Sequence, residues 1–108
     1  MIYQIEMVPG RQAKRIRVSQ GDTSLRRFGF ELTVRGATFL LDGSETVELI
    51  QDSGASHECE IIQGRAYLDA YADMTEEAGV YRCKLKITNE SDGVISSAAF
   101  FLEVEKEP

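Results

Sequence analysis

An antiparallel all-β sandwich of about eight to nine short strands, filling one domain over residues 1–108, is the fold class this sequence predicts. Three observations predict it. Apolar and polar residues alternate at a period of two along most of the chain. Clusters of Gly, Asp, Asn, Ser and Pro punctuate the alternating runs at about the 8–12-residue spacing of sandwiches. Helical periodicity is confined to one stretch, residues 72–79 (ADMTEEAG), which holds at most a single turn with Thr75 as its cap.

Taken in order, Tyr3, Ile5 and Met7 alternate with Gln4 and Glu6 until Pro9-Gly10 ends the segment. Ile16 and Val18 alternate with Arg15 and Arg17 before the turn Gln20-Gly21-Asp22-Thr23. Phe28, Phe30, Leu32 and Val34 make the clearest apolar face, and Gly36 interrupts it. Phe39 and Leu41 form a short strand ending at Asp42-Gly43; Val47 and Leu49 then lead to the turn Asp52-Ser53-Gly54. Cys59 and Ile61 alternate with Glu58 and Glu60, and Gln63-Gly64 is a tight connection to a strand over 66–70. Tyr81, Cys83, Leu85 and Ile87 face one way against Arg82, Lys84 and Lys86. The loop Asn89–Gly93 turns this strand into the last one, where Phe100, Leu102 and Val104 face inward.

A 108-residue chain is one domain's length and is too short for two independent cores. A domain of this size buries somewhat over ~60% of its unfolded surface, enough for a core without metal or disulfide staples. No run approaches the ~18 apolar residues of a membrane span, and MIYQIEMVPG lacks the features of a signal peptide. The expectation is a protein made and folded in the cytoplasm, with no membrane contact. The net charge of −6 argues against nucleic acid as a partner. Residues 1–40 carry a balance of +4 and residues 41–108 one of −10. Such asymmetry suits head-to-tail docking of oppositely charged faces, although a sandwich that interleaves early and late strands mixes the charges.

Residues able to carry chemistry are few. His57, the single histidine, has no second nitrogen or thiolate at metal-ligand spacing and reads as an ordinary exposed histidine near a loop. There is no nucleophile elbow, phosphate loop or metalloprotease helix. The carboxylates Glu58, Glu60, Glu76 and Glu77 read as solvated faces, and Asn89-Glu90-Ser91 as a chance match to the glycosylation pattern. No catalytic, cofactor or metal site is predicted, and the chain is not expected to be an enzyme. Cys59 and Cys83 both alternate inward; two free buried thiols suit a reducing cytoplasm, and a bond between them stays open.

Two features point to structure and contact. Glu77-Ala78-Gly79-Val80-Tyr81-Arg82-Cys83 resembles the tyrosine corner of immunoglobulin-type sandwiches, in which Gly79 permits a sharp entry and the Tyr81 hydroxyl satisfies an upstream backbone group. This makes the sandwich immunoglobulin-like, although there is no Trp. Arg15, Arg17, Arg26 and Arg27 cluster in the sequence and suit pairing with carboxylates across an interface. They equally suit a solvated strand edge that discourages aggregation. Phe100 and Phe101 point to opposite faces, so Phe101 is a candidate docking residue.

In order and spacing, Ile16-Arg17-Val18-Ser19-Gln20-Gly21-Asp22-Thr23, the strand Phe28–Val34, Ala78-Gly79-Val80-Tyr81 and the closing Phe100-Phe101-Leu102-Glu103-Val104 resemble the N-terminal domain of the upper baseplate protein family of tailed phages and prophages of Gram-positive bacteria. The resemblance runs from about Tyr3 to Glu105 and departs at Leu40-Leu41-Asp42-Gly43. It implies synthesis in the host bacterial cytoplasm, a place in the virion tail baseplate, and other baseplate or tail proteins as partners. The role it implies is a non-catalytic attachment domain linking the baseplate hub to receptor-binding components, with a homo-oligomer possible in the virion. Family members usually continue into a longer oligomerising region, so a chain ending at Pro108 implies a trimmed piece or a short relative. The competing expectation is an immunoglobulin-like adhesion or carbohydrate-binding module of a bacterial surface protein, which would need export and an oxidised Cys59–Cys83 pair.

Overall fold

The computed structural model describes residues 2–10 and 14–107. Strands take up 56% of the described residues and helix 4%, so the all-β prediction holds. The elements in chain order are β1 (Ile2–Glu6), β2 (Arg15–Ser19), β3 (Arg27–Val34), β4 (Ala37–Phe39), β5 (Thr46–Gln51), β6 (Ser56–Ile62), β7 (Arg65–Asp69), α1 (Ala72–Thr75), β8 (Gly79–Thr88), β9 (Val94–Ser96) and β10 (Phe100–Glu105). These ten strands join in one curled sheet with the order β1-β3-β7-β6-β5-β8-β10-β2, with β4 added to β3 and β9 to β8.

The curl turns at β6. Its first half pairs with β5, Cys59 opposite Val47, and its second half with β7, Glu60 opposite Tyr67. One strand therefore serves both halves of the sheet. The halves meet through their inward rows: Phe30 on β3 packs against Phe100 on β10 with ring centroids 5.7 Å apart, and Phe28 stacks near Phe30 at 6.3 Å. All three rings are at most 2% exposed, and burying each contributes roughly 1.5–3 kcal/mol. Ile16, Leu32, Val47, Leu85 and Leu102 complete the same core.

The structure corrects the expected pattern in four places. Pairing is not purely antiparallel, because β1 runs parallel to β3 and β2 parallel to β10. Two short N-terminal strands cover opposite ends of the strand path, so each runs beside a later strand in the same direction. Among the described residues the strands number ten rather than eight or nine, because the return from Asn89–Gly93 is split. β9 and β10 lie on the same side of β8 and are separated at Ser97–Ala99, where the Ser97 hydroxyl accepts from the Leu85 N–H at 2.9 Å. Thr75 does not cap α1: it is the helix's last residue, fully buried, and its hydroxyl donates to the Asp22 carbonyl at 2.6 Å. His57 is not an exposed loop histidine either. It lies on β6, half-buried, stacked on Tyr71 at 3.7 Å, with Nε2 2.7 Å from Asp73 Oδ1.

Two turns explain how short strands reverse so tightly. Arg35-Gly36 joins β3 to β4 with φ of 51° and 83°, and Gln63-Gly64 joins β6 to β7 with φ of 49° and 82°. Two left-handed residues in a row are the mirror-type turn that matches the twist of a hairpin. At the first of them Glu6 acts as a cap. Its carboxylate accepts from the N–H groups of Val8, Arg35 and Gly36 at 2.9–3.0 Å and from the Thr33 hydroxyl at 3.2 Å. Those donors, Val8 first, hold its pKa down at about 2.

Candidate docking surface

Alternation along β2 decides what the strand shows to solvent. Ile16 and Val18 enter the core, which leaves Arg15 and Arg17 on the outer face. The parallel register with β10 sets Arg15 opposite Phe101 and Arg17 opposite Glu103. Arg17 Nε donates to Glu103 Oε2 at 3.2 Å, and Arg15 lies 3.7 Å from the same oxygen. The Arg15 guanidinium also sits over the half-buried Phe101 ring, 5.7 Å from its centroid. Two arginines thus share one carboxylate beside an aromatic ring, and the patch carries surplus positive charge. Exposed ion pairs of this kind add little to stability, whereas guanidinium planes and an aromatic ring are the groups interfaces favour. Among the described residues β2 pairs only with β10, so its other edge is open.

The four arginines do not share one site. Arg26 belongs to the loop before β3, where its Nε donates to Asp22 Oδ2 at 3.0 Å. Arg27 begins β3, which lies far from β2 along the strand path. It pairs with Asp69 at 2.9 Å and Glu60 at 3.4 Å and lies over Tyr67 at 5.1 Å. The Asp69 hydrogen bond, ahead of Glu60, raises its pKa. For Arg27, nearness in sequence did not become nearness along the strand path, because the β2–β3 connection crosses between the two halves of the sheet. A cluster not predicted from the sequence lies on the same outer face as Arg27. Arg65 makes two hydrogen bonds to Glu31 Oε2, at 2.9 and 3.2 Å, and Gln4 donates to the same carboxylate at 3.3 Å. Arg65 first, then Gln4, lowers the pKa of Glu31. Its signal was the alternation itself, which places Glu31 and Arg65 outward, but the register that joins them is not local.

The structural corner lies at the start of β8. The Tyr81 hydroxyl donates to the Glu77 carbonyl at 2.7 Å, and Gly79 lies between them with φ of 155°. Cys59 and Cys83 are both free and buried. Cys59 faces Val47 and Cys83 faces Gln51, on opposite edges of β5. Two strand spacings of about 4.8 Å and four residues of about 3.4 Å each put their backbones well beyond the ~7 Å reach of a disulfide. Burial pushes both thiols up to about 12, so neither is a nucleophile near neutrality. No group of three metal-ligating side chains converges among the described residues, and none of their helices is long and apolar enough to cross a membrane.

Comparison with known proteins agrees with this architecture. The N-terminal domain of phage TP901-1 ORF48 superposes with a TM-score of 0.69 over 97% of each chain at 11% sequence identity, a likeness of fold. No curated protein sequence matches the chain. The family profile of the BppU N-terminal domain, the N-terminal domain of phage baseplate upper proteins, matches residues 1–108 from end to end. A structural domain of a phage tail baseplate, this chain belongs to the BppU N-terminal domain family.

Proposed function

We propose that this domain is a non-catalytic attachment module that links the baseplate hub to receptor-binding components. The observation that carries this reading is the ladder of Arg15, Arg17 and Phe101 on the outer face and beside the open edge of β2. A solvated face needs no aromatic ring under a guanidinium, whereas a docking face uses both. The inward side chains support the same reading, because the core consumes them and the two thiols are unreactive. The partner is a baseplate or tail protein that presents carboxylates around an apolar spot. Repetition of the contact around the tail multiplies weak attachments into a firm one.

Arg26 and Arg27 take a lesser part, since Arg26 is held by Asp22 past the end of β2 and Arg27 by Asp69 in the other half of the sheet. The test is co-purification with candidate hub and receptor-binding proteins from the same phage. Reversal of Arg15 and Arg17 to Glu is expected to weaken capture about tenfold or more, while Arg27→Glu leaves it near wild type. Unchanged capture after the double reversal overturns the assignment of this face.

A further inference from the structure

The core is left open at one end of the fold. On β4, Phe39 stands opposite Leu32, and on β9, Ile95 stands opposite Ile87. Residues opposite one another across a ladder share a face, and Leu32 and Ile87 are buried. Phe39 and Ile95 therefore lie on the inward side of the sheet, yet they are 40% and 53% exposed. With Val94 they wall a groove of about 450 Å³ whose lining includes Asp42 and Glu45 and no cationic side chain. Glu90 and Asp92, exposed on the adjoining turn, extend the acidic rim.

The strand beside the groove is also unfinished. Asn89 N–H donates to the Gly93 carbonyl at 2.9 Å and Ser97 N–H to the Leu85 carbonyl at 2.8 Å. Alternation from these pairs turns the backbone groups of Val94 and Ser96 away from β8, and no described strand pairs with them there. An occupant must supply an apolar centre, flanking cations and an extended edge. The chain's own β2 face has those three properties in Phe101, in Arg15 and Arg17, and in its open edge.

We propose that the acidic, apolar groove at β4 and β9 receives the Arg15–Arg17–Phe101 face of a second copy of this chain. This names the partner of the docking face proposed above and rests on that role. Because groove and ladder are different surfaces, the contact is head-to-tail, and its repetition closes a ring or continues as a helix.

The experiment is sedimentation equilibrium of the chain at up to millimolar concentration and low ionic strength. Self-association that weakens as salt rises is expected. Asp42→Lys with Glu45→Lys, and separately Arg15→Glu with Arg17→Glu, are each expected to weaken it about tenfold or more. Mixing the two variants restores association, because each then meets its complement. Ile95→Ser, which alters no charge, weakens it as well; Arg15, Arg17, Asp42 and Ile95 are exposed, Glu45 is half-buried with its carboxylate accepting from the Asp42 and Gly43 N–H groups, and circular dichroism checks that each variant folds. A monomer under all conditions, variants that associate like wild type, or a mixture that fails to recover overturns the inference. If the chain stays monomeric yet captures a tail protein through Arg15 and Arg17, this inference falls and the attachment role stands. Self-association without capture of any hub or receptor-binding protein supports the inference and removes the linking role.

Discussion

The Tyr81 hydroxyl bonds the carbonyl of Glu77, four residues back, at 2.7 Å, and so ties the entry of the longest strand to the loop that leaves α1. A phenol in this position replaces a turn of regular structure with one side-chain bond. Tyr81→Phe keeps the ring and removes the bond, so unfolding free energy falls by about 1 kcal/mol. Denaturant titration of the two proteins measures it. Desolvation, ahead of the nearby carboxylates, raises the Tyr81 pKa. The folded value thus lies above the unfolded one, and this contribution persists through neutral pH and is lost only in strong alkali.

Glu6 makes stability depend on acid. Its folded pKa of about 2 lies below the ordinary value of 4.5, held down by the N–H of Val8 first and then those of Arg35 and Gly36. The stabilisation is complete above the unfolded value and fades as pH falls from about 4.5 towards about 2. Glu6→Gln should therefore melt below wild type at pH 6, with the gap narrowing as both are acidified. A gap independent of pH would remove the charged cap as its cause.

The Gln63-Gly64 turn is a place where the chain can be improved or broken. Gln63 occupies a left-handed conformation that asparagine tolerates better, so Gln63→Asn raises stability by about 0.5 kcal/mol. Gly64→Ala acts the other way. A Cβ there would come within 2.8 Å of Leu40 Cδ2 and would sit at a φ of 82°. The expected loss is about 1–3 kcal/mol, read from thermal unfolding.

Thiol chemistry reports on the core. With Cys59 and Cys83 buried and raised to about 12, alkylation near neutral pH proceeds only as fast as the protein opens. Two labels enter after denaturation, and few before it. Oxidation of the native protein should leave its mass without an internal disulfide; a Cys59–Cys83 bond in the folded chain would contradict the strand register.

The period of two was legible because it is local. It identified nearly every strand, the inward rows of β3, β8 and β10, the tight turn at Gln63-Gly64, and the opposite directions of Phe100 and Phe101. The motif Gly79-Val80-Tyr81 was legible too, since the hydroxyl's acceptor lies four residues away on the same stretch of chain. Ser97 hid the division of β9 from β10, because a serine that accepts a backbone hydrogen bond looks like any polar strand residue.

By itself, then, the sequence determined that this protein is built of short, half-buried strands, and which face of most of them seeks the core. Tertiary structure alone decided which strands became neighbours. Only it separated Arg27 from Arg15 and Arg17, set Arg65 beside Glu31, drew His57 between Tyr71 and Asp73, and left Phe39 and Ile95 uncovered. The physical reason is range. Alternation follows from the pleat of a single strand, whereas register and the bend at β6 follow from how distant apolar rows share one interior.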